Sequence, residues 1–260
     1  MSPLRVVVLT NRGSVFGKHV VDALLERDVA IAGIVVIAQP FSYYWKLFRW
    51  VRRRVGLVDA LLFSFRRVRH GETLPSDAYD DFGPPIFHVR GTNTPETVDA
   101  VRSLSPDVIV LAQTGIVRKA LLGLPTIGTL NAHPGLLPWY RGIDCARWAI
   151  LNGDWDRIGV SVHWVDAGVD TGRVIVKEPV SLTPGLKIEE VDRLLDERAA
   201  DLMARLVAEL RLDDVPEGTS QGEGVQYFKM SRKDEARVRR ELAQRSPTTL
   251  PRAVDASKQL

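Results

Sequence analysis

Short apolar runs alternate with segments of helical period through the first half of the chain. Leu4–Leu9 reads LRVVVL, a continuous run that predicts a strand buried on both faces. Asn11-Arg12-Gly13-Ser14 follows as a turn, and Val15–Arg27 spaces Val20, Val21, Leu24 and Leu25 as a helix does. Val29–Ile37 predicts a second buried strand. Further on the pattern predicts strands at Ile86–Val89, Asp107–Leu111 and Ile127–His133, with helices at Pro95–Leu104 and Arg118–Leu124 between them. Ile143–Asn152 reads as helix, and Gly159–Val165 and Arg173–Leu182 as strands of mixed polarity. Ile188–Leu210 predicts a long amphipathic helix with Val191, Leu194, Leu195, Leu202, Leu206 and Leu210 along one side. Residues 213–226 read as a linker, and Ser246–Leu260 as a frayed polar end.

Strands that alternate with helices imply an α/β protein: a Rossmann-like, open, mostly parallel twisted sheet with helices on both faces. The last strands lack intervening helices and are expected as antiparallel edges. The expected division is a catalytic domain over 1–212, interrupted by an insertion at 41–70, and a partly disordered C-terminal extension over 213–260. In such sheets ligands bind beyond the carboxyl ends of the strands, so the polar residues after Leu9, Leu111 and Leu130 are the ones to inspect.

Composition narrows the class without naming a function. The 260 residues are 45% hydrophobic and 26% charged, a globular balance that excludes a disordered, collagenous or disulfide-stapled chain. Cys145 is the single cysteine, so no intramolecular disulfide forms, which suits a reducing compartment. The opening apolar run is too short for a signal peptide, and no stretch approaches the ~20 apolar residues of a membrane span. A cytoplasmic protein is the expectation. The net charge of +3 misleads if read globally. Residues 41–70 hold eight basic side chains against Asp59 alone, a balance of +7 that leaves −4 for the rest. The basic character describes an insertion, so nucleic acid is not the expected partner.

The first turn excludes a dinucleotide site. Asn11–Gly17 is not GxGxxG, and no acid ends the second strand to hold a ribose. Two readings of the turn stay open: a helix N-terminus that holds an anion, or Ser14 acting only as the helix cap. The informative stretch is Leu130–Gly142, LNAHPGLLPWYRG. Asn131 and His133 lie two apart on a strand end, so both point to one side, into the predicted crevice. Asp166-Ala167-Gly168-Val169-Asp170-Thr171-Gly172 forms a glycine-containing loop between two strands, from which Asp170 can return to His133 and tune it. Each residue alone has a structural explanation; their convergence points to chemistry. There is no CxxC or HExxH spacing, so no metal is expected. His163 lies within a strand and reads as packed or supporting, and Cys145 as a buried thiol.

Asn131–Pro138 with Tyr140-Arg141-Gly142 resembles the first signature of the 10-formyltetrahydrofolate-dependent formyltransferases, and Gly159–Gly172 resembles the second. The resemblance covers about residues 4–183 and implies the formyltransferase fold and transfer of a formyl group to an amine. It implies that Asn131 donates to the developing oxyanion, His133 assists proton transfer and Asp170 orients it. It further implies that Gln113, Thr114, Gly115, Ile116 and Val117 contact folate, and that Asp166, Gly168 and Val169 wall the pterin pocket. Departures point to the acceptor. The tRNA-modifying members carry a C-terminal barrel, whereas the residues after Leu182 begin as helix here. The purine-pathway members carry GxGSN where this chain has Arg12-Gly13-Ser14-Val15. Arg118 stands where many relatives have proline. What remains resembles the N-formyltransferases of nucleotide-linked amino sugars, with Arg12, Ser14, Tyr140 and Arg141 expected to border the acceptor. Glycinamide ribonucleotide is the alternative acceptor, and a non-catalytic folate-binding protein the alternative class.

The insertion carries eight of the chain's 19 aromatics: Phe41, Tyr43, Tyr44, Trp45, Phe48, Trp50, Phe63 and Phe65. One expectation is a pair of helices packed on the domain with solvated arginines. The other is contact with an anionic membrane surface, and assembly as a homodimer stays open.

Overall fold

A computed structural model describes residues 3–69, 75, 78–79 and 82–245, with the backbone alone for 64–69. The chain runs β1 (Val6–Asn11), α1 (Val15–Leu25), β2 (Ile31–Ala38), α2 (Phe41–Val55), α3 (Leu57–Arg69), β3 (Ile86–Arg90), α4 (Pro95–Ser103), β4 (Val108–Ala112), α5 (Lys119–Leu122) and β5 (Gly128–His133). It continues as β6 (Tyr140–Gly142), α6 (Cys145–Asn152), a 3₁₀ turn, β7 (Gly159–Trp164), β8 (Val174–Pro179), α7 (Ile188–Glu209), β9 (Val225–Tyr227) and α8 (Arg232–Gln244).

Seven strands form one sheet in the order β3-β2-β1-β4-β5-β7-β8. The first five are mutually parallel, and β7 pairs antiparallel with both β5 and β8. The Rossmann-like sheet with antiparallel edge strands is thus present. Alternate residues of the central strands face opposite layers. Val6, Val8, Ile34, Val36, Val108 and Val110 pack against α1, α6 and α7. Val7, Leu9, Val35, Ile37, Ile109 and Leu111 pack against α4 and α5. Burial on both faces is why these strands read as unbroken apolar runs. Helix starts are fixed locally. Ser14 Oγ accepts the Gly17 N–H at 2.9 Å, and Thr94 and Ser231 cap α4 and α8 in the same way.

Two segments differ from the sequence expectation. Residues 213–226 are not a simple linker: Thr219 bridges Val174, and β9 pairs with β6 in a two-stranded parallel sheet. α8 then places Val238 and Leu242 in the main core. Ser246–Leu260 and the side chains of Phe65, Arg66, Arg67 and Arg69 lie outside the described residues. The insertion forms the helix pair α2–α3. Among the described residues, no helix is long and apolar enough to cross a membrane.

Candidate active site

The strand order reverses at β1, between β2 and β4, which opens a crevice beyond the carboxyl ends of β1, β4 and β5. A cleft of about 520 Å³ occupies it. Asn131 and His133 project from β5, and the β5–β7 register sets Asn131 directly opposite His163. Residues opposite one another on antiparallel strands share a face, so the two histidines and the amide converge.

Asp170 lies between the two imidazoles. Its Oδ2 is 3.7 Å from His133 Nδ1 and its Oδ1 is 3.5 Å from His163 Nε2. The Gly142 N–H donates to Oδ2 at 2.9 Å. Burial alone pushes the Asp170 carboxyl up, but the two imidazoles and the Gly142 N–H outweigh it and hold the group at about 2. Asp170 is therefore a buried carboxylate at neutral pH. His133 is 4% exposed and meets Asp170 through Nδ1. Its Nε2 donates to the Tyr140 carbonyl at 2.8 Å, which fixes the ring and leaves Nδ1 facing the carboxylate. His163 Nδ1 donates to the Trp164 carbonyl at 2.7 Å, and its Nε2 lies 3.2 Å from Asn131 Nδ2 and 3.5 Å from Asp170 Oδ1. The second amide hydrogen of Asn131 faces Asp170 at 3.5 Å, too long for a strong bond, and is the donor available to an incoming oxygen.

Backbone close approach builds this geometry. A Cβ on Gly135 would stand 2.6 Å from His133 Nε2 and 2.8 Å from the Tyr140 carbonyl. A Cβ on Gly172 would stand 1.7 Å from the Trp164 carbonyl, so the loop that carries Asp170 closes onto β7 only with glycine there. Gln113 (φ 62°) and Asp170 (φ 51°) both adopt the left-handed conformation that side chains disfavour. Strain at two cleft residues is stored where the chain turns toward the crevice.

Gln113, Thr114, Gly115, Ile116 and Val117 line the cleft, as do Asp166, Gly168 and Val169. The carbonyls of the 113–117 loop are tied from behind. Asn11 donates to Gln113, Gln39 to Thr114 and Asn93 to Ile116. The N–H groups of Gly115, Ile116 and Val117 donate to no described residue. The result is a rigid edge of unengaged donors. On the facing side Asp166 Oδ1 accepts from the Gly168 N–H and the Thr171 hydroxyl, which shapes the 166–170 loop.

The four residues expected to border the acceptor do not line the cleft. Ser14 is a buried helix cap whose Oγ accepts the Gly17 N–H at 2.9 Å and donates to Gln113 Oε1 at 2.7 Å. Arg12 sits exposed at the end of the turn. Tyr140, 2% exposed, stacks on Tyr227 and donates to Asp154 at 2.7 Å; burial drives its hydroxyl pKa up. Arg141 spends its guanidinium on Gln221 Oε1 and the Gly222 carbonyl.

The remaining wall was missed from the sequence. Tyr43, Leu47, Trp50 and Val51 of α2 and Phe63 of α3 line the cleft, so the insertion is part of the site. The helical spacing of 43, 47, 50 and 51 was the signal available. Asp144 and Lys229 also line it, with Lys229 Nζ 2.8 Å from Asp144 Oδ2. Among the described residues, no group of three or more side chains is arranged to hold a metal ion.

Fold and site define an α/β protein of the Rossmann-like class, with a polar cluster in the crevice at its strand ends. The family model described as formyl transferase matches residues 4–207, and the chain belongs to that family. It is 31% identical over 156 residues to a methionyl-tRNA formyltransferase of Syntrophus aciditrophicus, which covers 60% of this chain and 50% of that one. A methionyl-tRNA formyltransferase of Citrifermentans bemidjiense is 36% identical over 145 residues, covering 54% and 44%. The chain spans about half the length of these curated relatives. In fold it is similar to glycinamide ribonucleotide transformylase 1 from Symbiobacterium toebii, with a TM-score of 0.57, 20% identity and coverage of 85% and 95%. It is also similar to a sugar N-formyltransferase from a Shewanella species, with a TM-score of 0.56, 15% identity and coverage of 92% and 88%.

Proposed function

We propose that this chain is an N-formyltransferase that moves the formyl group of 10-formyltetrahydrofolate to the primary amine of an amino sugar. The observation that carries this reading is the meeting of Asn131, His133 and the ionised Asp170 in one cleft with the unengaged N–H donors of Gly115, Ile116 and Val117. Those donors suit the acceptor atoms at the edge of a flat pterin, and the 166–170 loop walls its other side. When bound, 10-formyltetrahydrofolate supplies the activated formyl carbon. Asn131 offers its second amide hydrogen to the oxygen that gains negative charge. His133 Nδ1 would take the proton released by the attacking amine and return it to the folate nitrogen as the bond between that nitrogen and the formyl carbon breaks, and the Asp170 carboxylate 3.7 Å away would offset the charge. The Tyr140 carbonyl keeps the imidazole from turning.

The sugar reading draws support from the α2 wall. Tyr43 and Trp50 offer flat apolar faces of the kind that pack on the C–H face of a sugar ring. Glycinamide ribonucleotide stays the alternative acceptor, with the likeness in fold to the Symbiobacterium transformylase behind it. A nucleotide linked to the sugar is the finer reading. Histidines aside, Lys229 is the cleft's one cationic side chain among the described residues, and Asp144 and Glu235 already neutralise it.

A single-turnover assay with 10-formyltetrahydrofolate and a panel of amines is the direct test. Transfer to an amino sugar supports the reading; folate binding without transfer to any amine selects the non-catalytic alternative. Asn131→Ala should lower turnover by about 10²-fold or more, with folate affinity little changed. Calorimetry with dTDP, UDP and GDP decides the nucleotide: saturable binding that leaves folate binding intact supports the link, and no binding leaves a free amino sugar.

A further inference from the structure

α2 carries two apolar faces. Tyr43, Leu47, Trp50 and Val51 turn inward to the cleft. On the opposite side Phe41, Trp45, Phe48 and Arg52 recur at i, i+4, i+7 and i+11, one continuous stripe of a helix. Phe41 is 82% exposed and Trp45 53%. Trp45 and Phe48 stack with ring centroids 5.7 Å apart. Lys46, Arg49, Arg52 and Arg53 are exposed beside the stripe, and among the described residues none of them is ion-paired. α2 contains no acid at all.

Aromatic rings held in water beside unpaired cations mark a surface built for a partner. The partner must bury rings and supply negative charge. A duplex nucleic acid supplies the charge but keeps its bases stacked on one another and does not bury Phe41 and Trp45. A second copy of this face would set the same cations against each other across a two-fold axis. An anionic bilayer meets both needs: rings seat at headgroup depth while cations meet the headgroups, each adding attraction of order tenfold or less.

We propose that the outer face of α2 is a membrane-surface site that takes anionic phospholipid headgroups and inserts Phe41 and Trp45 at the interface. The helix, roughly 22 Å long, lies along the surface and does not cross it. This inference is independent of the proposed reaction.

The test is co-sedimentation of the full chain with vesicles of phosphatidylcholine alone and of phosphatidylcholine with about one-third phosphatidylglycerol. The wild type should pellet with the anionic vesicles, stay in solution with the neutral ones and release as salt rises. Phe41→Ser with Trp45→Ser, and separately Arg49→Glu with Arg52→Glu, should each weaken retention about tenfold or more. These side chains lie outside the cleft, so the far-ultraviolet circular dichroism spectrum and the melting temperature should be unchanged and serve as the check on folding. Equal retention on both vesicle types, or unchanged retention in both double variants, overturns the proposal. So does a wild-type dimer in sedimentation velocity that dissociates in the Phe41/Trp45 variant, which would assign this face to self-association.

Discussion

At Asp170 burial and charge oppose each other, and charge wins. The folded carboxyl is held at about 2, below its usual 3.8. A group whose folded pKa is depressed stabilises the fold above its unfolded pKa and loses that contribution as pH falls through the folded one. The window is therefore from about pH 4 down to 2, and the contribution is of order 2 kcal/mol. Thermal melts across that range should show wild-type stability falling more steeply than that of Asp170→Asn. At neutral pH the same variant should lower kcat by about 10²-fold or more, because His133 loses the charge that balances its protonated form. A variant that matches the wild type in both measurements would remove Asp170 from this role. That Asn131 and His133 share one side of a strand end was legible in the sequence because period-two spacing is a local signal, whereas Asp170 was placed only by its glycine-containing loop. His163 was not legible, because its place depends on the register between β5 and β7. Tyr140 was misjudged for a related reason: a tyrosine in a polar loop looks available until Tyr227 is found stacked on it at 4.9 Å.

Elements show the same divide. The buried parallel strands announced themselves as unbroken apolar runs, to within a residue or two at their ends. β6 and β9 are three residues each and gain a reason to exist only from each other, across more than eighty residues of chain. α2 was expected as a helix, but two apolar faces give no single stripe from which to tell inside from outside. The structure resolves this through Arg54, whose guanidinium lies 4.2 Å over Trp50 and 4.0 Å over Phe228. That sandwich ties the insertion to the segment before α8. Arg54→Ala should leave overall stability nearly unchanged, since such contacts are worth about 0.5–2 kcal/mol. It should nonetheless raise hydrogen exchange across 41–55 and raise the acceptor KM more than it lowers kcat. Unaltered exchange there would mean that α2 is held by other contacts.

Over the whole molecule, the C-terminal third braces the site from outside. Gln221 Nε2 donates to the carbonyls of Asp170 and Gly172, while its Oε1 accepts from Arg141. A polar segment that reads as a linker is thus the outer support of the loop that holds the buried carboxylate. Its hydrogen bonds are invisible to composition, because glutamine and glycine there look like any exposed turn. Gln221→Ala should lower the melting temperature by several degrees, because it removes part-buried hydrogen bonds worth about 1 kcal/mol each. It should still lower kcat several-fold by freeing Asp170; kcat equal to wild type would show the loop to be self-supporting.

The place where α2 and α3 leave the sheet has a further consequence. They depart after β2 and rejoin at β3, the outermost strand, and of the described residues in the pair only Val51 and Ala60 are buried. The reactive cluster stands on β5, β7 and their loops, across the cleft. The cleft is therefore built from separate stretches of chain, the helix pair on one wall and the polar cluster on the other. Under the proposed function, changes of length or charge in the helix pair would alter the wall that faces the acceptor and leave the side chains proposed to carry the reaction in place.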